Sequence, residues 1–334
     1  MYRFKFTTLT PLHISNGETL DQNFHYTVFK DELYRIDHTK FSKLIAKKEK
    51  VDFTQEITTK TIESWVRKYQ LNIIDDASSY SVKIHPTFQA HLDNKRAEGK
   101  RQVVEFINSN GNFYIPASSI KGALITSLNK TLFHFTENEN GNQKIIDIKQ
   151  NFLGIKEIKY KNRILKEASI SDKFVFSDSN FIDPSKFSVI RFDRPPQQNF
   201  ICLDTGEIFY LDIIRSGNLD LDLLKKNLSS YARDQVAKAQ TFIHKFERDK
   251  GGETKGSQYY KEALTNLRKE INNISDKEYL INIGFGGGAY FKIYSDVERI
   301  PKNTRKEFIH TSYTSIIEDI RNHIGWCKLE IEEL

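Results

Sequence analysis

Four of the five residues from Gly284 to Gly288 are glycine, and Phe285 stands among them. Glycine gives up more conformational entropy on folding than any other residue, so such a cluster marks a backbone that turns through positive φ or approaches something closely. Successive N–H groups in such a turn form a concave cradle that suits a phosphate; a tight turn without chemistry is the plain alternative. A second anion site is suggested by Ser118, Ser119, Lys121 and Gly122 at the entrance to a helix. A lysine there opposes the helix dipole, unless a phosphate docks on the free N–H groups and is shared with it. Gly122 costs the helix roughly 1 kcal/mol against alanine, which points to close backbone approach. His13, in the loop after the first apolar stretch, is the histidine best placed for general acid–base chemistry, although a lone loop histidine is more often structural.

Basic side chains supply the remaining candidates. Lys95, Arg96, Lys100 and Arg101 crowd the segment His91–Gln102, and Arg191 and Arg194 sit in a proline-bearing stretch. Charge runs are usually solvated surface; the alternative is contact with a polyanion. Other chemistries are poorly supported. Gly284-x-Gly286-x-x-Ala289 meets the loose dinucleotide pattern, but it lies late in the chain and lacks the acidic residue expected about twenty positions on. The run Gly251–Ser257 has no lysine after its final glycine, so it is not a P-loop. No histidine pair has metal-ligand spacing, the acidic residues suggest no two-metal site, and no cofactor is expected.

The totals set bounds on the partner. Among 334 residues, 50 Lys+Arg against 44 Asp+Glu give a net charge of +6, compatible with a polyanion. Cys202 and Cys327 are the only cysteines and are far apart, which argues against a disulfide framework or a zinc site and fits a reducing cytoplasm. No apolar run approaches the roughly twenty residues of a membrane span, so a soluble, cytoplasmic protein is expected.

The elements that must position these groups mix strands and helices without regular alternation. Tyr2–Thr7 alternates like a half-buried strand, and Thr10–Gly17 reads as a loop. Phe24–Phe29 and Leu33–Ile36 read as a hairpin. Asp37 is expected to cap a helix carrying Phe41, Leu44 and Ile45, with Trp65, Val66 and Tyr69 on the next. Ile120, Leu124, Leu128 and Leu132 stripe a helix for which Ser118 or Ser119 is the natural cap. A polar loop over 136–142 follows. Phe174–Ser177 and Glu207–Arg215 read as strands, the latter central because both faces are apolar. Leu219–Phe246 is the longest helix, 248–257 a flexible connection, and Tyr279–Ile283, 293–299 and Trp326–Ile331 complete the chain. The reading is α+β, with two domains side by side.

Taken in order, several stretches resemble the RAMP superfamily of CRISPR-associated RNA-binding proteins. They are Thr8–Ile14, Ile115–Leu124 and Gly284–Gly288; Phe176–Ser179, 191–201, 310–313 and 325–329 narrow the likeness to the family of the fifth Csm subunit of type III-A complexes. The resemblance implies two tandem ferredoxin-like, RRM-related domains. These would be 1–145, with a thumb-like basic excursion near 91–102, and 146–334, with the glycine loop. It implies a non-catalytic subunit that caps the CRISPR RNA toward its 3′ end, contacts neighbouring backbone and small Csm subunits, and supports RNA maturation through recruited nucleases. No membrane or small-molecule substrate enters. By position, the RNA contacts would be Ser118, Ser119, Lys121, Gly122 and Gly284–Gly288, with His13, Lys95, Arg96, Lys100, Arg101, Arg191 and Arg194. Ala117, Ile125 and Ser15 depart from the family pattern, and backbone contacts survive such changes better than side-chain ones. Two alternatives are a metal-independent endoribonuclease using His13 and a scaffold without RNA contact.

Overall fold

The computed structural model describes residues 2–49, 51, 57–94, 101–137, 143–148, 174–192, 198–216, 221–284, 316–317 and 322–334. Its organising strand is β1 (Tyr2–Thr8), where Phe4, Phe6 and Thr8 are buried and the residues between them face outward. The next strands are β2 (Ser15–Leu20), β3 (Tyr26–Phe29), β4 (Glu32–Ile36), β5 (Ser78–Ile84), β6 (Val103–Phe106), β7 (Asn108–Ser109), β8 (Asn112–Phe113), β9 (Phe133–Glu137) and β10 (Gln143–Ile148). Then come β11 (Phe174–Phe176), β12 (Phe187–Phe192), β13 (Gln198–Leu203), β14 (Ile208–Ser216), β15 (Glu278–Asn282), β16 (Ile316–Ile317), β17 (Asn322–His323) and β18 (Trp326–Glu333). The α-helices are α1 (His38–Glu49), α2 (Thr59–Lys68), α3 (Gln70–Asp76), α4 (Pro86–Asp93), α5 (Ala117–Leu132), α6 (Leu221–Lys250) and α7 (Lys255–Asn273).

Two large sheets carry the fold. A five-stranded antiparallel sheet runs β11-β14-β1-β18-β15, and a mixed seven-stranded sheet runs β2-β6-β13-β12-β5-β4-β3. In the first, β1 lies between β14 and β18, with Phe4 opposite both Leu211 and Ile331. On its outer face Arg3 donates twice to Asp212, at 2.7 and 3.0 Å, and Lys5 lies 2.9 Å from Glu330. In the second, β5 pairs parallel with β12 and β6 parallel with β13. One apolar core joins the two, running from Phe4 and Phe6 through Val103, Val189 and Ile201 to Leu224 and Leu228 of α6 and Leu264 and Leu267 of α7. A smaller core of Ile36, Phe41, Ile45, Val66, Ile73 and Ala77 holds α1–α3 together.

Each sheet draws strands from both sides of residue 145, so a boundary there does not separate the sheets. The physical reason is that β1 has no partner within the first 145 residues; its hydrogen bonds go to β14 and β18. The α+β class, the 26–36 hairpin, the Asp37 cap and the long α6 agree with the sequence reading.

Several local expectations are corrected. The loop at 10–17 already enters β2 at Ser15, and Thr136 and Glu137 belong to β9. His91 is buried on α4 rather than part of a solvated excursion. Arg191 lies in β12, where its neighbour Phe192 is fully buried. Ile208 and Tyr210 are exposed, so β14 is interior in strand order yet solvated on one face. The segment 248–257 is a tight helix–helix junction: α6 continues to Lys250, Gly251 and Gly252 turn at φ +77° and +150°, and Thr254 and Ser257 form a capping box. The helix that follows, α7, went unread in the sequence. Its signal was present in that box and in Tyr260, Ala263, Leu264, Leu267 and Ile271 at helical spacing.

Candidate nucleic-acid interface

Three segments far apart in sequence lock together where the glycine run begins. After β1, Leu9 and Thr10 donate their N–H groups to Trp326 O, and Thr10 Oγ1 accepts from Trp326 N at 2.9 Å. Gly325 N donates to Pro11 O at 2.8 Å, Ile283 N to Gly325 O at 2.7 Å, and Asn282 Nδ2 to Ile324 O at 2.9 Å. Leu12 exchanges both backbone hydrogen bonds with Leu203, tying the junction to the seven-stranded sheet.

Two glycines make this approach possible. Gly284 sits at φ +76°, and a Cβ there would lie 2.3 Å from His13 O and 3.1 Å from the side chains of Ile14 and Leu12. Gly325, at φ +80°, would place a Cβ 2.3 Å from Ile283 O. No L side chain satisfies either position without backbone movement. The glycine signature at 284 is thus explained first by packing: the loop leaves β15 pressed onto the backbone of His13. Phe285, Gly286, Gly287 and Gly288 lie outside the described residues.

His13 itself is fully buried, between the rings of Phe106 and Phe200. Its Nδ1 is 2.7 Å from Ile201 O. A carbonyl oxygen only accepts, so Nδ1 carries the proton and the ring is held neutral in that tautomer. Desolvation drives the pKa down to about 4, and the hydrogen bond to Ile201 only partly offsets it. A side chain with no exposed surface cannot reach an RNA phosphate or a 2′-hydroxyl. As an acid–base catalyst His13 is therefore corrected: it is a buried pin between the loop after β1 and β13.

The entrance to α5 is also corrected. Neither Ser118 nor Ser119 caps it, because the helix has already begun at Ala117. Asp178 takes the cap role, its Oδ1 accepting from Ala117 N at 2.7 Å across 61 positions. Ser179 supports it, donating its N–H to Ile115 O and accepting from Ile115 N through Oγ at 2.8 Å. A carboxylate on the first N–H satisfies both the orphan donor and the helix dipole. Ala117's N–H thus needs no outside phosphate. Ile120, Ala123 and Leu124 face the core, while Ser118 and Gly122 are exposed and Ser119 and Lys121 half-buried. A Cβ at Gly122 would meet nothing within 4 Å, so packing inside the chain does not demand the glycine.

The basic candidates divide. Arg101 is tethered, donating to Gln22 Oε1 at 3.1 Å and to Leu92 O at 2.6 Å. Arg191 Nη1 donates to Asn199 Oδ1 at 3.3 Å, and Asn199 Nδ2 donates to Gln102 O at 2.7 Å. Strand order therefore gathers Arg191, Asn199, Gln102 and Arg101 at neighbouring ends of β12, β13 and β6. Lys95, Arg96, Lys100 and Arg194 lie outside the described residues. Sequence reasoning missed Asp178, Asn282 and Gly325 as builders of the site. Nothing local marks Asp178 as a cap, whereas Gly325 just before a strand was a visible signal.

Cys202 and Cys327 are buried, and desolvation raises both thiols, so neither is a reactive nucleophile. No helix among the described residues is long and apolar enough to cross a membrane.

The architecture is thus an α+β protein in which two sheets share a core and a glycine-dependent junction holds the loop after β1 against the exit of β15. The profile of the RAMP superfamily matches residues 5–292, most of the chain, and the protein belongs to that superfamily. Among solved structures it is similar to a chain of the "Csm-crRNA-target RNA ternary complex in type III-A CRISPR-Cas system" seen by cryo-EM. That match is 15% identical, covers 99% of this chain and 100% of that one, and has a TM-score of 0.61. It is also similar to Csm5 of T. onnurineus, with 14% identity, coverage of 97% and 99%, and a TM-score of 0.59. At such identities the likeness is one of fold. No curated protein matches the sequence.

Proposed function

We propose that this protein is a non-catalytic RNA-binding subunit of a type III-A CRISPR effector complex. In this reading it caps the CRISPR RNA toward its 3′ end and supports that RNA's maturation, beside neighbouring Csm backbone and small subunits. The observation that carries the reading is the junction. Conformational freedom and backbone hydrogen bonds are concentrated at Gly284 and Gly325, while His13 there is buried and neutral. That is the design of a positioned backbone loop. The full-length likeness to a chain from an RNA-bound Csm complex supports the assignment of partners. The ferredoxin-like, RRM-related units of this reading are the two sheets with their helices rather than the spans before and after 145.

Phosphates would meet the N–H groups of the glycine loop and the exposed first turns of α5, and Phe285 would stack on a splayed base. Such contacts hold register without reading sequence, so affinity falls steeply with salt. Gly286→Asp places an anion in the loop and should weaken binding of a CRISPR RNA 3′ fragment at least tenfold in filter binding at moderate salt. Unchanged affinity would remove the loop from the interface. Incubating the wild-type protein with repeat RNA in EDTA should leave the RNA intact; cleavage by the purified chain would overturn the non-catalytic assignment.

A further inference from the structure

A cleft of about 450 Å³ is lined by residues of which only Arg101 and Gln102 have entered the description of the interface. Three pieces wall it: the turn at residues 21–24, one face of α2, and the start of β6. Thr59, Glu63 and Arg67 stand four residues apart along α2, which puts them in one row. Its volume falls within the roughly 300–1,000 Å³ of sites that hold small ligands.

The polar groups around it are fixed by chemistry. Arg101 can only donate, so Gln22 must turn its carbonyl oxygen toward the guanidinium, leaving its NH₂ available. Asp21 accepts at 2.9 Å from Gln102 Nε2, so the Gln102 amide nitrogen faces the carboxylate and its carbonyl oxygen is left over. Phe24 lines the cleft, its ring braced by His25 at 4.6 Å and His38 at 5.5 Å. Among the described residues Glu63 and Arg67 form no ion pair, so a carboxylate and a guanidinium remain uncommitted on the α2 wall. Two arginines balance two carboxylates, and a bare phosphate gains little from such a neutral site. A planar group with both donors and acceptors on its edge gains most.

We infer that this cleft holds one unpaired nucleobase of single-stranded RNA, stacked on Phe24 and read at its edge by Glu63, with preference for a base carrying adjacent N–H donors, guanine above all. The inference rests on the RNA-binding reading but uses residues outside the glycine junction. A carboxylate pairs with two adjacent donors of guanine, whereas uracil offers it a single N–H.

The test uses the full chain and ten-nucleotide RNAs that differ only by G or U at each position, followed by fluorescence anisotropy. Phe24→Ala should weaken binding about tenfold, the scale of one lost base–aromatic stack. Thr59→Trp, which fills the cleft from an exposed helix position, should do the same, and neither should change the salt slope. Glu63→Gln should abolish the G-over-U preference. Wild-type binding that none of the three variants alters would overturn the cleft and leave the RNA-binding assignment standing. No RNA binding by the wild type would remove both. Saturation by GMP that RNA does not displace would make this a free-nucleotide site and overturn the inference as stated.

Discussion

Gly284 and Gly122 are both glycines singled out by sequence, yet they sit in opposite circumstances. At Gly284 an added methyl meets a carbonyl oxygen at 2.3 Å with φ at +76°. Gly284→Ala should therefore cost about 2–4 kcal/mol in urea unfolding, combining left-handed strain with overpacking. At Gly122 the same methyl meets open space in a helix. Gly122→Ala should stabilise by about 0.5–1 kcal/mol, and a simultaneous loss of RNA affinity would identify the helix face as a contact. His13 makes a prediction through its proton. Its pKa is lowered to about 4, so between pH 6.5 and 4 the unfolded chain binds the proton and the folded chain does not. Stability from this group is complete above pH 6.5 and is lost as pH falls through that window, by about 3 kcal/mol. Buried His323, lowered to about 3 by desolvation, acts in the same direction. His13→Asn, which keeps a donor for Ile201 O, should reduce the slope of unfolding free energy against pH between 6 and 4.5. An unchanged slope would show that His13 is not held neutral.

The elements show which parts of the chain could be read from local pattern. The alternation in β1, the Asp37 cap and the apolar stripe of α5 are local, because side-chain periods of two and 3.6 depend only on the residues themselves. The cap of α5 is not local. Asp178 reaches Ala117 N because β11 pairs with β14 and carries the following turn to the helix entrance. Asp178→Ala should destabilise the protein by about 1–2 kcal/mol, while Asp178→Asn, which keeps an acceptor, should cost a few tenths. Equal losses in thermal unfolding for both variants would show that charge on the helix dipole, not the hydrogen bond, dominates. The two glycines before α7 read as a flexible linker, although Thr254 and Ser257 one step later form a complete box. Glycine marks both linkers and tight turns, and only its neighbours distinguish the two.

At the scale of the molecule, β1 decides the cooperativity. It is hydrogen-bonded on both edges to strands from the second half of the sequence, and a single core runs through both sheets. Fragments 1–145 and 146–334 should each fail to give a cooperative unfolding transition by circular dichroism, and mixing them should restore one. Independent folding of either fragment would revive a boundary at 145. What the sequence by itself determined was the α+β class, the demand for glycine at 284, several helix stripes and the ordered motifs of the RAMP superfamily. Tertiary structure alone decided that His13 is buried, that Asp178 rather than a serine caps α5, and that β1 belongs with β14 and β18. It alone gathered a turn, a helix face and a strand start into one cleft. The reason is physical: a side chain's period and a backbone's freedom are written in neighbouring residues. Burial, hydrogen-bond partners and the resulting protonation depend on strand order, which brings together residues that no local pattern connects.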